Sequence, residues 1–402
     1  MRNRRLVRAA GVLIGLSLIV AACGDDDDTA TTDTTAATDD GGDGGGETYT
    51  LAFVGPLTGD AANLGINIRN GMKVAIEESN AANDFTIELE EFDTQGDPAQ
   101  ATTLKDDFIG DENILGVVGP TFSGETKALL PSFDEAGLVM VSASATNADL
   151  PTVVPDTPVF HRVIPDDNVQ GAGLTDYITK VLGSTNVAYV NDNSEYGKGL
   201  ADGTQALLEA AGVATAAVEA VDPKSQDFSA AVNAVKAAGP DLVFYGGYYA
   251  EAGRLRKQLV DAGVDAAFLS GDGSLDPGFI ESAGAGGAGA QITCPGNLAP
   301  EDSDDPRLVD YAKAYKELNG VDAGTYSTEG YDATNILIEG IKAGSTDRAS
   351  LVEYVEGIDS YDGISKPISF EENGNVKATD VFVFEIKDGK IVLVGKTSEL
   401  VG

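Results

Sequence analysis

Two short polar stretches, residues 119–124 and 142–147, carry hydroxyl groups directly after apolar runs. The first reads Gly-Pro-Thr-Phe-Ser-Gly and precedes a helical stretch, so a hydroxyl lies beside free helix N-terminal N–H groups, which suit an anionic oxygen. The second reads Ser-Ala-Ser-Ala-Thr-Asn and also supplies hydroxyls and open backbone amides. Either stretch alone is compatible with ordinary capping, but the two together predict a carboxylate or similar anion bound without arginine. The candidate residues are Ser123, Ser144 and Thr146.

A second set of groups, with the opposite charge preference, follows apolar runs later in the chain. Tyr196 comes after Asn-Asp-Asn-Ser-Glu, Tyr248 lies in Tyr-Gly-Gly-Tyr-Tyr, and Asp272 lies in Ser-Gly-Asp-Gly. A carboxylate with neighbouring tyrosines can hold an ammonium group by charge-assisted hydrogen bonds and cation–π attraction. Asp272 is equally open to interpretation as an aspartate of a glycine-flanked turn.

Catalytic and metal chemistry find little support in the composition. The chain has one histidine, His161, and two cysteines, and no Gly-x-Ser-x-Gly motif accompanies that histidine. Residues 284–289 match Gly-x-Gly-x-x-Gly, but they follow a helical stretch and lead into a strand, the reverse of a dinucleotide fingerprint. Cys294 has no partner for a disulfide within residues 48–402. We therefore predict a protein that is not an enzyme and has no cofactor and no metal.

The elements that must position these groups alternate between β-rich apolar runs and amphipathic helices. Continuous apolar runs between helices are typical of parallel sheets covered on both faces. The alternation begins at Thr48 and restarts near Val187, which predicts an α/β fold of two doubly wound parallel-sheet lobes joined by a three-segment hinge. We place lobe 1 at residues 48–165 plus 297–375 and lobe 2 at 166–296 plus 376–402. Ligands of open α/β sheets bind beyond the carboxyl ends of strands, so the cleft between the lobes is the expected site.

The N-terminus predicts export. Residues 1–22 combine four arginines with an apolar run too short to span a membrane comfortably, as in a signal peptide, and they end in Val-Ala-Ala before Cys23. This ending resembles the bacterial lipobox, in which the cysteine is lipidated. Residues 23–47 would then form a lipidated cysteine and a disordered acidic tether. An ordinary secretory signal with an incidental cysteine is the alternative.

Charge narrows the class of partners. The formal net charge is −39, and residues 48–402 retain 22 basic and 56 acidic residues, a net of −34. Such a surface cannot displace counterions from phosphates, so a nucleic-acid partner is excluded.

Short motifs in order along residues 48–396 resemble the Leu/Ile/Val-type solute receptors of ABC importers, a family with the type I periplasmic-binding fold. The motifs are Phe-Val-Gly-Pro-Leu-Thr-Gly at 53–59, then Gly65, Gly71, Asp93, Asp97-Pro98, Tyr-Gly-Lys-Gly-Leu at 196–200, Asp227-Phe228 and Phe-Tyr-Gly-Gly-Tyr at 244–248.

The resemblance implies a role for each site residue. The α-carboxylate contacts of the family fall on Ser123, the backbone of Ser144 and Thr146, the ammonium contacts fall on Tyr248 and Asp272, and Tyr196 closes the cleft. This chain departs from the family pattern at three places: Asp272 replaces a glutamate, Leu64 replaces an aromatic residue, and Gly96 and Phe122 replace a cysteine pair. Leu64 and Phe122 are expected to line an apolar pocket for the ligand side chain.

The resemblance implies a monomeric extracytoplasmic receptor, anchored to the cell membrane by lipid on Cys23. It would bind a small amino acid, branched-chain or related, and deliver it to ABC permease subunits with their ATPase. Receptors for amides, urea or aromatic acids share the scaffold and remain an alternative, as does a sensory module that signals to a partner.

Overall fold

A computed structural model describes residues 46–296, 298 and 303–402 of the chain. The predicted signal peptide, Cys23 and nearly all of the predicted tether lie outside these residues. Within the described part, no helix combines the length and the apolar character needed to cross a membrane.

Two separate sheets organise the described residues. The first sheet has five strands, all parallel, in the order β2-β1-β3-β4-β5. The second sheet is mixed and has seven strands in the order β14-β13-β10-β9-β8-β6-β7. The strands of the first sheet are β1 Thr48–Gly55, β2 Thr86–Asp93, β3 Ile114–Val118, β4 Val139–Ser142 and β5 Phe160–Arg162. Those of the second are β6 Asn186–Asn191, β7 Ala214–Ala220, β8 Leu242–Gly246, β9 Ala267–Ser270, β10 Gln291–Cys294, β13 Phe382–Lys387 and β14 Lys390–Lys396. A small separate pair joins β11 Tyr361–Asp362 to β12 Pro367–Ile368.

Twelve α-helices connect and cover the sheets in the described residues. They are α1 Ala62–Ala82, α2 Pro98–Ile109, α3 Ser123–Ala136, α4 Asp167–Asp176, α5 Glu195–Ala210, α6 Ser229–Ala238, α7 Tyr249–Asp261, α8 Pro277–Ala283, α9 Pro306–Asn319, α10 Ser327–Lys342, α11 Arg348–Glu356 and α12 Thr397–Val401. Helices α9 and α10 pack along α1, and α11 packs on β3 and β4, so these late elements complete the lobe of the first sheet. The β13–β14 hairpin adds an antiparallel edge to the second sheet through β10.

Asp-Pro pairs start three of the helices. Asp97, Asp276 and Asp305 each accept a hydrogen bond from the backbone two residues on, at 2.8, 2.8 and 2.9 Å. In each case the proline is the first helical residue, where its missing N–H costs no intrahelical bond. These caps fix where the helices begin relative to the preceding strands.

The predicted α/β architecture of two parallel-dominated lobes is confirmed. The prediction omitted α4 and its π-helical continuation Tyr177–Leu182. Glycine and threonine weaken the helical pattern there, and packing of α4 against α5 and β10 supplies the stabilisation. The exact lobe boundaries stay predictions.

Candidate functional site

A small cavity of about 10 Å³, roughly the space of one water, lies where the carboxyl ends of strands from both sheets face each other. Six of the eight predicted ligand-binding residues line it. The lining residues are Phe122, Ser123, Ser144, Tyr196, Tyr248, Asp272, Gly273 and Tyr326.

Ser123, at the start of α3, offers a hydrogen-bond donor to this cavity. Its Oγ accepts from the amide of Asn147 at 3.1 Å, and within the described part of the chain its own hydrogen has no acceptor. The preceding amide, of Phe122, is already occupied by the carboxylate of Glu125 at 2.8 Å. The N-terminus of α3 therefore presents a hydroxyl and positively polarised backbone, which suit an anionic oxygen.

The loop after β4 supplies backbone groups rather than side chains. The Ser144 hydroxyl donates to the carbonyl of Thr121 at 2.6 Å, so it is committed to the protein. The Ser144 amide makes only a long contact, 3.5 Å, with the hydroxyl of Ser142. That amide is the group of Ser144 that remains for a ligand.

Arg162 holds this loop from behind, a role that the sequence analysis did not assign. Its fully buried guanidinium donates to the carbonyls of Ala145 and Asn147 at 2.9 and 2.8 Å, and to Asn375 at 2.8 Å. Burial lowers the pKa of Arg162 to about 10, so it stays charged at neutral pH. Because Arg162 binds carbonyl oxygens of the loop, it fixes the loop conformation without occupying the backbone amides of the loop.

Asp272, on the opposite side, is fully buried and held by tyrosines. Tyr196 donates its hydroxyl hydrogen to Oδ1 at 2.8 Å and accepts from the amide of Gly273 at 2.9 Å. Tyr326 donates to Oδ2. Burial raises the pKa of Asp272, and the two tyrosine hydrogen bonds offset part of that increase. A cation bound here would stabilise the ionised carboxylate further.

Asp167, in the first turn of α4, is a second buried acid that the sequence analysis missed. Neither of its carboxylate oxygens has a hydrogen-bond partner of good geometry in the described residues, but the nearby Thr146 hydroxyl lowers the pKa of Asp167. Its pKa is raised well above the ordinary value, first by burial and then by the charge of Asp272. The signal lay in the pair Asp166-Asp167: Asp166 caps the helix through the amides of Asn168 and Val169, which leaves Asp167 without a capping role.

Aromatic rings from both lobes close the cavity. The rings of Phe122 and Tyr248 lie with centroids 4.4 Å apart, and those of Tyr196 and Tyr248 lie 5.4 Å apart. Phe122 packs against the backbone of Gly96, where a Cβ atom would come within 2.8 Å of the ring. Gly96 and Phe122, at the positions of the family's cysteine pair, are therefore in tight contact and leave no open space between them.

Leu64 and Thr146 are the two predicted residues that do not line the cavity. Leu64 is fully buried in the core of the first lobe, where α1 packs on the sheet. Thr146 is also fully buried, and its hydroxyl lies near the carboxylate of Asp167, whose pKa it lowers. Their predicted contacts with a ligand stay predictions.

The remaining chemical candidates lie outside this site. His161 is buried on β5 with its ring 4.7 Å from that of Phe370, and burial lowers its pKa to about 4. Gly284–Gly287 form a 3₁₀ turn after α8, and Cys294 is a buried free thiol. The part of the chain that the structure describes contains no group of three acidic, histidine or cysteine side chains able to hold a metal ion.

Two α/β lobes that enclose one polar cavity define a two-lobe ligand-binding protein. The family model described as periplasmic binding protein matches residues 48–390. The chain belongs to the periplasmic binding protein family, as its motifs predicted, and members of this family are solute-binding receptors rather than enzymes.

The chain is similar in sequence and in fold to several amino-acid-binding proteins. Leu/Ile/Val-binding protein homolog 3 of Brucella melitensis is 33% identical over 354 residues, 85% of this chain and 92% of the relative. A leucine-, isoleucine-, valine-, threonine- and alanine-binding protein of Pseudomonas aeruginosa is 29% identical over 84% of this chain and 90% of its own length. The crystal structure of the leucine binding protein LivK of Thermotoga maritima matches with a TM-score of 0.80 and 27% identity, over 87% of this chain and 98% of that one.

Proposed function

We propose that this protein is the extracytoplasmic receptor of an ABC importer, that it binds a small amino acid, branched-chain or related, between its lobes, and that it delivers it to a membrane permease. The observation that carries the proposal is the separation of charge preference across one cavity. The Ser123 hydroxyl and the amides of the 142–147 loop face a negative end of the ligand, and Asp272 faces a positive end. The names of the relatives, which include Leu/Ile/Val-binding proteins, support the same ligand class.

The acidic side explains why the ligand must carry an ammonium group. The charge of Asp272 raises the pKa of Asp167, and the charge of the buried Arg162 partly offsets this increase. Asp272 itself forms no ion pair with a described arginine or lysine, and burial raises its pKa. An ionised buried carboxylate without a cation partner is unfavourable. An α-ammonium group supplies the missing charge, while its carboxylate uses neutral dipoles on the other side.

The cavity is nearly closed in this structure. Its volume of about 10 Å³ is roughly the space of one water, so a ligand enters only when the lobes open or the lining side chains move. Phe122, which packs on Gly96 and against Tyr248, forms the outer wall of the cavity. We place the ligand side chain on this aromatic side.

The cellular setting follows from the N-terminal sequence. The lipobox-like Val-Ala-Ala-Cys23 predicts lipid attachment, and the acidic segment to residue 47 predicts a tether that holds the receptor outside the membrane. We propose a monomer that docks on its permease when closed, because both lobes contact the ligand and binding therefore shifts the equilibrium toward the closed form.

A ligand screen with two aspartate variants tests the function. Thermal shift and calorimetry with the twenty amino acids, acetamide, urea and benzoate should give binding for a subset of amino acids, because a ligand of the folded state raises the melting temperature by mass action. Asp272→Asn should weaken amino-acid binding by about tenfold or more, since it removes the proposed charge partner of the ammonium group. Asp167→Asn should weaken binding less, because Asp167 does not line the cavity. Asp272→Asn should also melt at a higher temperature than wild type without ligand at neutral pH, because a buried uncompensated charge is gone.

Glu356→Gln, an exposed change far along α11, is the charge-matched control and should bind as wild type. Binding of an amide or aromatic acid that is unchanged by Asp272→Asn would instead establish the alternative ligand classes. Melting temperatures that respond to none of these compounds would overturn the proposal as a whole.

A further inference from the structure

A second and larger space lies outside the closed cavity, at the mouth of the cleft. This vestibule measures about 460 Å³ and opens to solvent. Phe122 and Tyr248 line both the inner cavity and the vestibule. Their closely packed rings therefore form the partition between the two spaces. Exposed acids of the first lobe, Asp60 and Asp97, lie on its rim.

Asp192 is a buried carboxylate on the lining of this vestibule. Asp192 belongs to the second lobe and directly follows β6. Only 3% of the residue is exposed. Oδ1 accepts from the amide and hydroxyl of Ser194 at 2.9 and 2.6 Å. Oδ2 accepts no hydrogen bond from any described residue. One carboxylate oxygen, itself buried, therefore remains without a hydrogen-bond donor in this structure.

Glu251, in the first turn of α7, is a second acid of the same kind. It is also 3% exposed and lines the same vestibule. Among the described residues it forms no ion pair and no side-chain hydrogen bond with a neighbour. Burial and the charges of Asp192 and Asp60 raise the pKa of Glu251 to about 7, although the charge of Arg254 offsets part of this increase. An additional cation beside the two acids would favour the ionised form of Glu251.

The surroundings of these acids select the kind of cation. The described side chains include no group of three that could hold a metal ion, whereas the rings of Phe122 and Tyr248 offer apolar and cation–π contact. A primary ammonium group has three N–H donors for carboxylates and an alkyl stem for the rings. Lys224 also lines the vestibule, and its exposed ammonium group suits the carboxylate of an amino acid.

We propose that the vestibule is a second binding subsite, for the primary ammonium group of an amine or amino acid, held by Asp192 and Glu251 against the Phe122–Tyr248 partition. This subsite is distinct from the inner cavity and meets amino acids before they enter it. Its ligands need no carboxylate, so it is testable separately from the proposed receptor function.

Ethylammonium chloride is the probe, because it cannot use the anion-binding side of the inner cavity. In a ¹H–¹⁵N NMR titration of the full folded chain, it should shift the amides of Ser194, Tyr248 and their neighbours. Asp192→Asn and Glu251→Gln should each weaken this binding by about tenfold, the effect expected for one charge-assisted hydrogen bond. The control Glu356→Gln should leave it unchanged, and Asp272→Asn should leave the shifts at Ser194 unchanged, because Ser194 lines the vestibule and not the inner cavity.

Both vestibule variants keep their shape and lose a buried charge, so their melting temperatures should equal or exceed that of wild type at neutral pH. Equal ethylammonium affinity in wild type, Asp192→Asn and Glu251→Gln would refute the subsite. Loss of the binding in Asp272→Asn alone would place the amine in the inner cavity and refute it as well. Neither result would affect amino-acid binding at the inner site, which the ligand screen measures.

Discussion

Tyr326 donates its hydroxyl hydrogen to Oδ2 of Asp272 across the cleft. The tyrosine precedes α10, which packs on α1 and the first sheet, whereas Asp272 follows β9 of the second sheet. Tyr326 also has a left-handed backbone, with φ of 67°, which is unusual for a residue other than glycine. The neighbouring Thr325 donates to the carbonyl of Leu275, so this segment joins the two lobes at the ligand cavity.

Removing the Tyr326 hydroxyl should weaken ligand binding. Tyr326→Phe keeps the ring but deletes a charge-assisted bond to the carboxylate that faces the ammonium group, so we expect about a tenfold loss of amino-acid affinity by calorimetry. Tyr331→Phe is the matched control, because its hydroxyl bonds Glu78 outside the cavity. Equal affinities for the two variants would contradict the assignment of Tyr326 to the site.

The stability of the closed form should depend on Asn147 more than on the nearby ion pair. Asn147 Nδ2 donates to the carbonyl of Glu195 at 2.8 Å across the lobes, in a partly buried position. Lys127 joins the side chain of Glu195 at 2.9 Å, but both side chains are about half exposed. Exposed pairs contribute little, so Asn147→Ala should reduce affinity several-fold by shifting the population toward the open form, while Lys127→Gln should change it little.

Single-molecule fluorescence between labels on the two lobes, with calorimetry, would measure this difference. A larger effect of Lys127→Gln than of Asn147→Ala would contradict the ranking.

Glu125 should make the stability of the protein depend on pH. Burial raises its pKa to about 7, and it is fully buried while capping the amide of Phe122. Because the folded pKa exceeds the unfolded one, the folded state binds more protons between pH 4.5 and 7, and the Glu125 contribution to stability falls as pH rises through that window. The full effect is about 3 kcal/mol.

Glu125→Gln keeps an acceptor for Phe122 and removes the titration. Its melting temperature should exceed that of wild type by more at pH 8 than at pH 5, and calorimetric melting scans at the two pH values measure the difference. The exposed control Glu356→Gln should show no such pH-dependent gain. A constant offset for Glu125→Gln at both pH values would show that Glu125 does not titrate in this range.

Membrane attachment should depend on Cys23 and not on Cys294. Each buried methylene of an acyl chain contributes about 0.8 kcal/mol to membrane binding, so loss of the acylated thiol removes the anchor. Cys23→Ser should move the protein from the membrane fraction to the soluble fraction of cells, as judged by immunoblotting and by the mass of the mature chain. Cys294→Ser should remain in the membrane fraction, and release of both variants or of neither would refute a lipid on Cys23.

The sequence alone determined the α/β architecture and most of the residues that line the candidate cavity. Apolar runs alternate with helices, and helix starts such as Asp97-Pro98 carry local signals that depend on neighbouring residues only. Ser123, Tyr248 and Asp272 were predictable because carboxyl ends of parallel strands converge, so polar residues just after strands meet.

Only the tertiary structure decided the contributions of Tyr326, Asp167 and Arg162. Tyr326 reaches Asp272 because the chain returns to the first lobe after leaving the second, and no local pattern encodes that contact. Asp167 begins a helix that tertiary packing rather than periodicity stabilises, and Arg162 acts through carbonyls of a loop 15 to 17 residues away. Packing also decided which residues surround Leu64: helical spacing shows that a residue is buried, but only the tertiary structure places Leu64 in the core of the first lobe.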